Sequence, residues 1–159
     1  MDDLAPIPGD AFENLPSRPP MSLRAGNAVD SYETAPDFDA ELDRVTPEYL
    51  EQNFWGVAHL DAVSWQYYLP ILMAHALRNI RNPGSMAVDA FLASLRPPDR
   101  DPPRFAALTP AQEQAVARML DILAFQEDSA WKEAAMIALE EYWAPGAIYR
   151  DGARQSRVD

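Results

Sequence analysis

Apolar residues from Thr46 onward recur at helical intervals, in runs that open on a helix-start signal and close on a breaker. That period turns one face of each run toward a core. Thr46-Pro47-Glu48 combines a hydroxyl cap, a proline at the first helical position and an acid in the first turn. It predicts a short helix that reaches Phe54-Trp55 and stops near Gly56. Asp61 caps a second helix through Trp65, Tyr67, Tyr68 and Leu69. Pro70 lacks the amide that the hydrogen-bond ladder needs, so this helix kinks or restarts there before Leu72, Met73, Ala76, Leu77 and Ile80. Asn82-Pro83-Gly84 ends it, and Ser85 caps a third helix with Met86, Val88, Phe91, Leu92 and Leu95 on its apolar side. Thr109-Pro110-Ala111-Gln112 has the form of a capping box and opens a fourth, with Val116, Met119, Leu120 and Leu123 on one face. Glu127-Asp128-Ser129 interrupts it, and a last helix carries Trp131, Ala135, Ala138, Leu139 and Tyr142 as far as Trp143-Ala144-Pro145-Gly146. No Asn-Gly or Asp-Gly turn lies between alternating runs, and Asp151-Gly152 has nothing after it to pair with. The pattern predicts an all-α fold, a small helical bundle of about five helices.

Residues 1–45 read differently. They hold six of the fifteen prolines and ten acids against three bases, a charge of −7, and their apolar residues follow neither a helical nor a strand period. Such a segment buries too little apolar surface to offset its ordering entropy. It is predicted as an irregular or disordered acidic arm, with Pro8, Pro16, Pro19 and Pro20 favouring extended backbone. On that reading, deleting residues 1–36 leaves thermal stability nearly unchanged; if the arm packs instead, Phe12, Leu15 and Leu23 are its anchors. The chain then divides into an arm at 1–45, a helical domain at 46–145 and a frayed tail at 146–159 with Arg150, Arg154 and Arg157. Within the domain, the charged proline loop at 97–104 is expected to hold Phe105 and Leu108 against the body.

Charge narrows the function. Thirteen Lys and Arg face twenty-five Asp and Glu, a net charge of −12, with one lysine (Lys132), two histidines (His59, His75) and no cysteine. A thiol nucleophile and cysteine-ligated zinc are excluded, and a lysine Schiff base would have to use Lys132. The negative field repels phosphates, which argues against nucleic acid and anionic membrane and favours a basic protein partner. Met1-Asp2-Asp3 lacks the basic start of a signal peptide, so a cytoplasmic protein is expected. The longest apolar-leaning stretch, Leu69 to Ala76, contains Pro70 and His75 and falls well short of the ~20 residues of a membrane span.

Four groups of residues could carry chemistry. Asp121, Glu127, Asp128, Glu140 and Glu141 are acids of the last two helices, but neither histidine has a glutamate three residues before it, as a di-iron bundle requires. They read as a solvated helix surface, and no metal or cofactor is expected. His59 and His75 with Asp61 and Ser64 lack a Gly-x-Ser-x-Gly elbow, so no catalytic residue is assigned. Phe54-Trp55, Trp65 and Tyr67-Tyr68 could form a stacking platform, but only Arg44 and Arg78 flank them, and they read as core. Asp37, Asp39, Glu41 and Asp43 alternate with Phe38, Ala40 and Leu42. Such a segment can dock an apolar anchor while its carboxylates meet arginine or lysine, and Phe38 and Leu42 at i, i+4 would share one amphipathic turn.

Tyr68-Leu69-Pro70 after Trp65, Phe91-Leu92-Ala93-Ser94-Leu95, and Arg104-Phe105 followed by Leu108-Thr109 and Gln112 resemble a family of small bacterial proteins of unknown function. The resemblance covers residues 46–143, leaves the arm outside, and implies a bacterial origin and a helical fold without supplying a catalytic residue. Small acidic proteins of this kind are similar in style to immunity proteins and antitoxins. The expected function is therefore a binding module, most concretely an immunity or antitoxin protein that occludes a basic toxin domain. Its partner-binding residues would be Asp37, Asp39, Glu41 and Asp43 on the arm, and Glu127, Asp128, Glu140 and Glu141 on the body. A small enzyme using Asp/Glu acid–base chemistry and an accessory or scaffolding protein are the alternatives.

Overall fold

The computed structural model describes residues 9–99 and 103–150. Helices α1 (Leu23–Asp30), α2 (Pro47–Gln52), α3 (Ala62–Arg78), α4 (Met86–Ser94), α5 (Pro110–Phe125) and α6 (Lys132–Ala138) follow one another along the chain. Short 3₁₀ turns lie at Gly9–Phe12, Phe54–His59 and Phe105–Ala107, and a π-helical turn at Leu139–Trp143 closes α6. The fold is all-α, with no strand among the described residues.

The start signals work as read. Thr46, Asp61 and Ser85 accept from the backbone N–H of Tyr49, Ser64 and Val88, and Thr109 and Gln112 form the reciprocal capping box. Helix α3 passes through Pro70 without a break. Its neighbours Leu69, Leu72 and Met73 are buried, so packing on both sides outweighs the ladder bond that the proline forfeits. Three of the four tryptophans are buried in the core, and each indole N–H finds an acceptor: Trp65 gives to Ser94 Oγ at 3.2 Å, Trp131 to Asn79 O at 3.0 Å and Trp143 to Leu95 O at 2.8 Å.

The described part of the arm is not an irregular appendage, which corrects the expectation for residues 9–45. Leu23 is fully buried, Phe12 is buried and Leu15 packs on the core. The first amides of α1, which no helix can satisfy internally, are taken by the body. Leu23 N donates to Tyr68 Oη at 3.2 Å, Arg24 N to Tyr49 Oη at 3.1 Å, and Ala25 N to its own cap Ser22 Oγ at 3.0 Å. Further upstream, Ala11 O accepts from Gln112 Nε2 of α5, and Met21 N donates to Ser64 Oγ of α3. Composition under-counted this segment because a few apolar residues carry its packing: Phe12, Leu23 and Ala25 are buried, and Ala11, Leu15 and Met21 pack against the core.

Gly56 does not stop a helix. Helix α2 ends at Gln52, and Gly56 lies inside the following 3₁₀ turn, where α1 crosses it in the most extensive contact between any two elements. The tail also begins in order: Ala147 is buried, and Arg150 donates to Glu113 Oε2 at 3.1 Å while lying over the Tyr142 ring. Phe105 and Leu108 are buried as expected, held where Asp99 accepts from the N–H groups of Arg104, Phe105 and Ala106. The expectations for Pro8, residues 100–102, Asp151-Gly152, Arg154 and Arg157 lie outside the described residues.

Candidate functional site

The acidic segment between α1 and α2 is organised around Asp43. Its carboxylate is buried and accepts from Arg24 Nε and Nη2 at 3.0 Å each, from Tyr49 Oη at 2.8 Å and from Asp39 N at 2.8 Å. Arg24 also donates to Asp37 O, so one guanidinium fixes both ends of the loop. Asp39 Oδ1 in turn accepts from Glu41 N and Leu42 N, closing a single turn. Burial alone would raise the Asp43 carboxyl, but the hydrogen bonds from Arg24, Asp39 N, Tyr49 and Ser22 outweigh it and hold it below the ordinary carboxylate range. Burial pushes the Tyr49 phenol far up, so it stays protonated and donates to this carboxylate.

Asp43 is therefore internal scaffolding and not a partner contact, which corrects its place among the expected binding residues. The remaining carboxylates of the loop, Asp37, Asp39 and Glu41, are exposed. Phe38 is half-buried with the Arg18 guanidinium over its ring, whereas Leu42 projects into solvent. The same stretch carries Tyr32, 99% exposed at φ 63°, a left-handed conformation that bulky residues rarely hold. A rigid loop thus presents three carboxylates, with an exposed tyrosine and an exposed leucine in the segment around them.

Replacing Asp43 with alanine is expected to cost about 3 kcal/mol, because it strands a partly buried arginine and a buried phenol. Equilibrium urea unfolding checks the figure. Since the folded pKa of Asp43 is lowered, its stabilisation is present at neutral pH and fades as the pH falls below about 4. The gap in stability between the natural protein and Asp43→Asn should accordingly close in acid.

The second set of expected acids is not gathered into one site. Glu127 and Glu140 are exposed, but Asp128 pairs with Arg81 after α3, and Glu141 pairs in bidentate fashion with Arg96 after α4 at 2.8 and 2.7 Å. The hydrogen bond from Arg96 holds Glu141 below its ordinary range.

The histidines find other partners than Asp61 and Ser64. His59 meets Asp30 at 2.9 Å, Asp61 caps α3, and Ser64 Oγ accepts from Met21 N. His75 instead meets Glu51 Oε2 at 2.7 Å, the same oxygen that accepts from Ser85 Oγ at 2.5 Å, while Oε1 accepts from Ala87 N. Burial pushes the Glu51 carboxyl upward, and the bonds from Ser85, His75 and Ala87 more than reverse it. Serine and histidine both point at the carboxylate and not at each other, so the cluster serves as an extended cap for α4. The partners of Glu51 lie 24 to 36 residues further along the chain, and nothing in the local sequence announces the pairing. Among the described residues no three His, Cys, Asp or Glu side chains come together as a metal-binding group. No helix among them is long and apolar enough to cross a membrane.

The aromatic run divides. Trp65 and Tyr68 are core, as expected, but Trp55 is 57% exposed. It stacks on Phe54 with ring centroids 4.6 Å apart and borders an open cleft of about 370 Å³ between the 54–59 turn and α4.

Fold and surface together define a small all-α protein with a rigid acidic loop and a separate aromatic-lined cleft. The chain belongs to a family of unknown function, DUF6714, whose sequence model matches residues 2–147. The match takes in the acidic segment that the motif resemblance left outside, in keeping with its packing on the body. No curated protein and no solved structure matches the chain.

Proposed function

We propose that this protein is a binding module for a basic protein, and that its particular role is that of an immunity protein or antitoxin covering a basic toxin domain. One observation carries the reading: Asp37, Asp39 and Glu41 stand exposed on a loop that buried Asp43 and Tyr49, with half-buried Arg24, hold in place. A charged surface fixed before encounter loses less entropy on binding than a flexible tail would. The net charge of −12 adds long-range steering toward a cationic surface.

The test pairs the protein with the product of the neighbouring gene. Co-expression is expected to rescue growth from that product, and the purified proteins are expected to form a complex. Its association should weaken steeply with salt, because screening shortens from about 10 Å at 0.1 M to about 3 Å at 1 M. Reversing Asp37, Asp39 and Glu41 to lysine, with Asp43 kept, should slow association about tenfold and change dissociation little. If the same reversal at Glu127 and Glu140 has the larger effect, the body and not the loop is the contact surface. No rescue and no complex, together with a turnover that loss of an Asp or Glu abolishes, would replace this reading with an enzyme.

A further inference from the structure

Three tryptophans are buried and hydrogen-bonded, whereas Trp55 is 57% exposed beside Phe54 at the mouth of a cleft. Across from it, α4 contributes Met86, 46% exposed, and the small side chains of Ala90 and Ala93, which leave room above the helix. At about 370 Å³ the cleft falls within the size range of ligand-accepting sites, about 300–1,000 Å³. Tryptophan is among the residue types enriched at interface hot spots, where it becomes desolvated in a well-packed pocket.

Three charged residues line the cleft, and they decide what it can take. Arg96 is engaged by both carboxylate oxygens of Glu141. Arg104 is buried and donates through Nη2 to Val57 O at 3.0 Å and Leu60 O at 2.6 Å, with its guanidinium over the Trp65 ring. Asp89 is exposed and makes no ion pair with another described residue. A guest therefore meets apolar walls with one uncompensated carboxylate at their edge. A second copy of this chain carries the same net charge of −12, and this overall repulsion disfavours self-association.

We infer that this cleft is the apolar docking site for a basic partner, accepting a hydrophobic side chain of the partner with an adjacent lysine or arginine on Asp89. The inference rests on the proposed function for the partner's charge, and it names a second and separate surface for that partner. The acidic loop supplies steering, and the cleft supplies the desolvated anchor that holds the complex once formed.

The test uses two synthetic peptides of equal length, each with a central leucine pair, one flanked by lysines and its twin by glutamates. Heteronuclear NMR follows the indole N–H signals, with Trp131 as a control remote from the cleft lining. The lysine peptide is expected to shift the Trp55 signal saturably and leave Trp131 in place, and the glutamate twin is expected to bind far more weakly. Trp55→Ala should weaken the lysine peptide about thirtyfold, the size of a hot-spot loss. Ala93→Arg, on the exposed side of α4, should block it by bulk and like charge while retaining the natural circular-dichroism spectrum. Equal binding by both variants and the natural protein would overturn the inference. So would equal binding of the two peptides, or shielding of Trp55 only through self-association at high protein concentration. Loss of binding on reversing Asp37, Asp39 and Glu41, with no effect of Trp55→Ala, overturns the cleft but leaves the acidic-loop reading standing. The opposite pattern upholds the cleft and removes the loop.

Discussion

Deletion of residues 1–36 is expected to collapse the stability of this protein. The segment inserts Leu23, fully buried, and Phe12 into the core. Together they account for about 3–6 kcal/mol of burial, at about 1.5–3 kcal/mol for each side chain. Removing α1 also strips the Tyr49 and Tyr68 hydroxyls of the amides they accept, and leaves Asp43 buried without Arg24. An unpaired buried carboxylate adds several kcal/mol of its own. Against a typical total of about 5–15 kcal/mol, the truncated chain should lose cooperative unfolding or melt at least roughly 10–20 °C lower. Calorimetry of both proteins decides it. A truncated form melting within about 2 °C of the full chain would mean that the packing of α1 contributes no net stability.

Gly56→Ala is expected to produce the largest loss of any single methyl group added to the chain. At the crossing of α1 with the 54–59 turn, a Cβ on Gly56 would lie 2.9 Å from Asn27 N and closer still to Leu23 O. A Cβ on Gly26 would lie 2.6 Å from Gly56 O and 2.9 Å from Gly56 Cα. All four are backbone atoms, so no side chain can swing aside and the helix itself must move. Overpacking of this kind costs about 3 kcal/mol or more, a fall of roughly 10 °C in melting temperature. Gly84→Ala is the control, because its nearest neighbour is the Asn82 side-chain oxygen at 3.4 Å. It should melt close to the natural protein.

What could be read along the chain was local. Thr46, Asp61, Ser85 and Thr109 were legible as caps because each reaches an amide within three residues. Helix α1 escaped notice although Ser22 caps it in the same way. Gly26 and Asn27 weaken its helical signal, and the residues that stabilise it lie 25 and 45 positions further on. The candidate surface was half legible: the acidic run was plain, but not which acid faces inward.

The sequence by itself determined that this protein is all-α, where four of its helices begin, and that its net charge is strongly negative. Each follows from capping chemistry, from the period of apolar residues or from a count of charges, none of which needs a distant partner. Only the tertiary structure decided that Asp43 is buried while Asp37, Asp39 and Glu41 are exposed, since Arg24 reaches it from 19 residues away. It also decided that Trp65 closes the core while Trp55 stands open over a cleft, and that two glycines meet where α1 crosses the chain. Identical residue types take opposite roles at these positions because burial is fixed by what the rest of the chain places beside them.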